Sequence, residues 1–129
     1  MKRSMMVIAL VVMLLWLAGY SGRPADARPA EPVVTMGSTT FGQTRLTIKQ
    51  GQTITFVDEK ATGTEHILVL GKEGVAQPES GAPTFGGSKG MTFLPGQSWT
   101  SPPWTTAGTY HVTCTVHPTT MNLTVFVTA

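Results

Sequence analysis

Three side chains near the C-terminus stand at a spacing that suits a metal ion. Cys114 is followed by His117 and then by Met121, in the run GTYHVTCTVHPTTM that begins at Gly108. A second histidine, His66, opens the apolar run HILVL. One thiolate, two imidazoles and a thioether are the donor set of a type 1 copper centre, a trigonal plane of two His and one Cys with a weak axial Met. Such a set suits a one-electron couple: Cu(I) favours soft sulfur, Cu(II) favours nitrogen, and a rigid mixture is acceptable to both. The thiol must be deprotonated, which a bound metal does by itself. Cys114 is the only cysteine in the chain, so neither an intramolecular disulfide nor a zinc site of two or more cysteines is available. His111 lies three residues before Cys114, and strand alternation points it to the opposite face from the thiol.

Enzymatic readings find little support. His-Glu-x-x-His does not occur. A nucleophilic pair of Cys114 and His117 is conceivable, but a strand-end cysteine with a Met completing the loop suits copper better. The expectation is a protein that is not an enzyme.

The elements that must hold these residues read as strands. Leu46, Ile48, Ile54 and Phe56 alternate with polar neighbours in RLTIKQGQTITFV, which predicts two half-buried strands joined at Gln50-Gly51 by a hairpin-like turn. HILVL (66–70) is a short buried strand, and MTFL (91–94) is another that ends at the Pro95-Gly96 turn. Tyr110, Val112 and Cys114 share one face, and Leu123, Val125 and Val127 alternate again. Residues 71–90 carry six Gly and two Pro, which predicts a long surface loop with at most a short helical turn. Trp99, Trp104 and Tyr110 are expected in the core or at its rim, and Met36 and Met91 in packing. No helical stripe or repeat is visible. Short strands with Gly/Pro punctuation imply an all-β fold, a Greek-key β-sandwich.

Residues 33–129 resemble the cupredoxins, the plastocyanin and amicyanin group in particular. The resemblance runs through RLTIKQGQTITFVDE, TEHILVL and FLPGQSWTSPPWTTAGTYHVTCTVHPTTM. It implies a cupredoxin-like fold, one type 1 copper ion, His66, Cys114 and His117 as the strong ligands, and Met121 as the axial one. It also implies single-electron transport between transient redox partner proteins. A copper-binding or copper-delivery module without electron shuttling is the alternative, and a metal-free interaction domain a third. The sequence departs from the family in three places. Its Cys-x₂-His-x₃-Met loop is intermediate in length between those of amicyanin and plastocyanin. Asp58 stands where many members have Asn, and Ile67 follows the upstream His where many have an Asn bonded to the loop after Cys. Thr115 offers a hydroxyl within that loop.

The N-terminus reads as a leader. Lys2 and Arg3 precede a 14-residue apolar run, Met5–Ala18, which is short for a bilayer span of about 20 residues and suits a signal peptide. Ala25-Asp26-Ala27 is an A-x-A cleavage pattern, so residues 1–27 are expected to be removed, with 28–32 as a short linker and 33–129 as the domain. Leu17-Ala18-Gly19 begins a lipoprotein box, but Tyr20 stands where the lipidated Cys would be. An uncleaved anchor is the alternative. Each reading places the domain outside the cytoplasm, as a periplasmic, secreted or membrane-tethered monomer.

Without the leader, six basic residues (28, 45, 49, 60, 72, 89) face six acidic ones (31, 58, 59, 65, 73, 79). The net charge of +2 therefore belongs to the leader, and nucleic-acid binding by a basic surface is excluded.

Overall fold

The computed structural model describes residues 30–129; the expected leader and its cleavage point after Ala27 lie outside the described residues. Nine strands lie among the described residues: β1 (Val33–Met36), β2 (Arg45–Lys49), β3 (Thr55–Asp58), β4 (His66–Lys72), β5 (Val75–Ala76), β6 (Met91–Phe93), β7 (Ser98–Thr100), β8 (Gly108–Cys114) and β9 (Asn122–Thr128). The only helical piece among the described residues is a 3₁₀ turn at Gly87–Lys89, and none is long and apolar enough to cross a membrane.

Two sheets enclose the core. The smaller has the order β1-β3-β7, with β1 parallel to β3 and β7 antiparallel to it. The larger runs β2-β9-β8-β4-β5, and β6 pairs with the first part of β4. The longer strands contribute alternate residues to the core, as period-two patterning requires. Val34, Met36, Ile54 and Phe56 come from one layer, and Ile48, Leu68, Val112, Leu123 and Val125 from the other.

The hairpin expected over 46–56 is not formed. β2 pairs in parallel with β9, whereas β3 pairs with β1 and β7, so the turn at Gln50-Gly51 carries the chain from one sheet to the other. Alternation alone reports that a strand has an inner face and says nothing about its neighbour. Ser101 steadies this crossover: its Oγ accepts from the Ile54 N–H (3.0 Å) and from Trp104 Nε1–H (3.1 Å), while its own N–H donates to the Ile54 carbonyl (2.8 Å).

The segment 71–90 is more built than a surface loop. It begins with the end of β4 and a short hairpin to β5, and it drives Phe85 into the core. Phe85 packs edge-on against Phe56, Trp99 and Trp104, with centroids 5.5, 5.0 and 6.0 Å away. Aromatic contacts of this kind add to burial itself, so the segment caps the sandwich. Trp104 and Tyr110 are core residues as expected, and the Tyr110 hydroxyl donates to the Thr106 carbonyl (2.8 Å). Met36 is fully buried and Met91 packs at the edge of the core.

Candidate metal centre

The larger sheet brings the four expected residues to one end. Leu68 on β4 lies across from Cys114 on β8, so His66, two residues earlier on the same face, stands just past the thiol. On the other side of β8, Asn122 pairs with Thr113. Met121 therefore returns beside Cys114, and the Cys114 N–H donates to its carbonyl (3.1 Å). The Met121 N–H donates to the His117 carbonyl (3.0 Å), which closes the loop from Cys114 to Met121 as one compact turn.

The donor atoms converge. Cys114 Sγ is 3.8 Å from His66 Nδ1 and 3.9 Å from His117 Nδ1, and the three ligand-capable atoms lie within 4.8 Å of one another. The imidazole centroids are 5.1 Å apart. Cys114, His66 and Met121 are fully buried, and His117 is half-buried.

The surroundings of the two imidazoles suit a metal. His66 Nε2 is 2.8 Å from the Gly37 carbonyl, which only accepts. That nitrogen therefore carries the proton, and Nδ1 presents its lone pair to the cluster. Burial, and then the neighbouring His66, lower the His117 pKa below the ordinary imidazole value. The donor set and its tautomer thus fit a soft, thiolate-binding metal.

Behind His66 stands a group that the sequence marked only as a departure. The Asp58 carboxyl is fully buried, 3.7 Å from His66 Nε2, and neither oxygen has a hydrogen-bond partner. Burial raises its pKa; His66 partly opposes this and Glu59 adds to it. Gly63 makes room here, because a Cβ at that position would overlap Asp58 Oδ1.

Two further details were not visible in the sequence. Gly37, 29 residues from His66 in the chain, sets the tautomer, and no local pattern signals so distant a contact. The loop after Cys114 is tied to β4 by the Thr115 N–H donating to the Ile67 carbonyl (2.9 Å). The backbone alone makes this link, and any residue at 67 supplies that carbonyl. His111 points away from the cluster, as expected, and pairs with Glu79 at 2.7 Å.

A two-layer β-sandwich whose sheet end gathers two His, one Cys and a nearby Met has the architecture and donor set of a type 1 copper protein. Residues 30–128 match the plastocyanin/azurin family of copper-binding proteins, and the chain belongs to that family. Solved structures agree. A reduced Cu(I) form of an amicyanin mutant at pH 4 is 25% identical, with a TM-score of 0.57 over 81% of this chain and 88% of that one. The reduced state of another amicyanin mutant is 26% identical, with a TM-score of 0.56 over the same shares. Amicyanin from Paracoccus versutus, at 24% identity, shares the fold with a TM-score of 0.55 over 81% of this chain and 87% of that one. No curated protein matches the chain.

Proposed function

We propose that the protein is an exported blue copper protein that carries single electrons between redox partner proteins, with His66, Cys114 and His117 as strong ligands and Met121 as the axial one. The observation that carries this reading is the buried Cys114 thiol flanked by two imidazole Nδ1 atoms at 3.8 and 3.9 Å. Copper bound there supplies a one-electron Cu(I)/Cu(II) couple. The chain's own residues do the rest. Gly37 holds His66 in one tautomer, and burial keeps water from the thiolate side. His117, the half-buried imidazole, brings its ring edge toward the surface as the port for electrons.

Val116, next to His117, is 44% exposed, and Leu94, which follows the β6 partner of His66, is 48% exposed. They supply an apolar rim suited to brief docking of a partner. The near-zero charge of the mature chain predicts little electrostatic steering. The leader-like N-terminus supports export, and no motif for a catalysed reaction accompanies the site.

Titrating Cu(II) into the purified metal-free protein tests this. The expected result is one copper per chain, an intense visible thiolate-to-copper band and a reversible electrode response. Cys114→Ser abolishes the band, and Met121→Gln changes it while copper is retained. A copper-loaded protein without that band overturns the reading. A coloured protein that hands copper to an acceptor without redox cycling replaces electron transport with delivery.

A further inference from the structure

We propose that Thr113, Asn122 and the hairpin tip at Glu73-Gly74 form a clamp that grips the loop 114–121 from outside and sets the position of Met121; the proposal rests on the copper reading above. Thr113 and Asn122 are register partners on β8 and β9. Both belong to the set of residues that alternates away from the core, yet Thr113 is fully buried. What covers it is the β4–β5 hairpin.

The polar contacts form a connected circuit. The Glu73 N–H donates to Asn122 Oδ1 (2.8 Å), and the Gly74 N–H donates to Thr113 Oγ1 (2.9 Å). The Thr113 hydroxyl has one proton, shared between the Met121 carbonyl (3.1 Å) and Asn122 Oδ1 (2.9 Å). Asn122 Nδ2 donates to the Pro118 carbonyl (2.8 Å). The clamp therefore holds the loop by two carbonyls, those of Pro118 and Met121. The Met121 carbonyl also accepts from the Cys114 N–H, so it is fixed from both sides.

The hairpin adopts an unfavourable conformation where it meets the loop. Glu73 is the one non-glycine residue with positive φ among the described residues (49°), and Gly74 follows at 75°. Two left-handed residues in succession make a tight hairpin tip, where Asn-Gly or Asp-Gly is the usual choice. In a free hairpin the N–H groups of the tip face water; here both are directed at Thr113 and Asn122. A Cβ on Gly74 would overlap Pro118 Cβ, so glycine is what permits the close approach. None of these groups touches the thiol or the imidazole rings, so Thr113 and Asn122 are positioning residues. Only three residues separate His117 from Met121, and a grip on Pro118 and Met121 leaves that short loop little freedom.

Thr113→Val, Thr113→Ser and Asn122→Ala test the clamp. In the metal-free protein, amide exchange at Met121 and Cys114 is expected to speed up about tenfold in Thr113→Val and Asn122→Ala, as for loss of one hydrogen bond from a locally opening segment. In the copper-loaded protein the same two variants are expected to shift the visible spectrum and the EPR hyperfine coupling. Thr113→Ser restores both. Asn122 is half-buried, so Asn122→Ala carries the test if Thr113→Val fails to fold. Folded variants with unchanged exchange overturn the clamp. Faster exchange with an unchanged spectrum overturns its control of Met121. A wild-type protein that never develops the copper band, while exchange still responds, defeats the copper reading and leaves the mechanical grip standing.

Discussion

His66 and His117 face the same thiol, but the chain supports them in different ways. His66 opens a seven-residue strand, is fully buried and has its outer nitrogen tied to the Gly37 carbonyl. His117 sits in the loop after β8, half-buried, with its backbone carbonyl tied to Met121. The first belongs to the sheet, so its position is as rigid as the ladder around it. The second belongs to a turn closed by a few hydrogen bonds and gripped from outside. Half of the site is therefore set by the global fold, and the other half by local loop chemistry. Ligand geometry on the loop side can therefore be altered at little cost to the sandwich, and on the sheet side only at a larger cost.

The largest expected contrast is in stability. His66→Ala removes a buried ring, opens a cavity and leaves the Gly37 carbonyl without its donor, which costs about 3 kcal/mol in the metal-free protein. His117→Ala, at a half-exposed position, changes stability by less than about 1 kcal/mol. Urea denaturation of the two metal-free variants measures this, and equal losses would erase the distinction. Both variants are expected to lose the blue colour, because each removes one of the proposed strong ligands.

Next comes Asp58, which stands on the sheet side. Its folded pKa is raised, chiefly by burial. Its contribution to stability is thus fully present below the unfolded carboxyl value and is lost as pH rises through the folded one. Asp58→Asn removes a buried carboxylate that lacks a hydrogen-bond partner and is expected to stabilise the metal-free protein by about 1–2 kcal/mol at neutral pH. That advantage shrinks in acid, where the wild-type carboxyl is itself neutral. If the Asp58→Asn variant gains no more over wild type at neutral pH than in acid, the carboxyl must be satisfied by some other group.

On the loop side the sign is opposite. The His117 pKa is lowered, first by burial and then by His66. The associated stability is present above the ordinary imidazole value and is lost as pH falls through the lowered one. The metal-free protein should therefore weaken over that window, and His117→Ala should flatten the curve. An NMR titration of the ring checks the midpoint directly. The same proton competes for the Nδ1 lone pair that a metal needs.

Much of this contrast was legible in the chain, though unevenly. The loop side was local: Cys114, His117 and Met121 declare themselves by spacing within eight residues, and the alternation of Tyr110, Val112 and Cys114 placed the thiol inward. On the sheet side His66 was found through the apolar strand it opens and through family resemblance. Its partners Gly37 and Asp58 come from the ends of β1 and β3, whose contacts with β4 are long-range and leave no periodic trace. β1 and β7, of four and three residues, are too short for alternation alone to reveal them, and unlike the equally short β6 neither ends at a Pro-Gly turn. The false hairpin at Gln50-Gly51 shows the limit of turn chemistry, since the same turn that closes a hairpin can also pass a strand to the opposite sheet. Phe85 lay in a Gly-rich stretch whose composition hid a core aromatic.

The third histidine gives the smallest expected effect and the sharpest control on the pairing of the other two. His111 is on β8 with Cys114, but alternation turns it outward, where its Nδ1 and backbone N–H both meet the Glu79 carboxylate, at 2.7 and 2.8 Å. Both side chains are partly exposed, 24% and 20%, so solvent screens the pair and its worth is at most about 1 kcal/mol. His111→Gln keeps the backbone N–H bond to Glu79 and removes only the ring. It should change urea stability by a few tenths of a kcal/mol, within the usual range of about 0.5 kcal/mol for surface substitutions. The copper spectrum should be identical to that of wild type. A shifted spectrum would mean that strain passes along β8 from position 111 to the thiolate at 114, and the site would then depend on the outer face of the sheet as well as on its end.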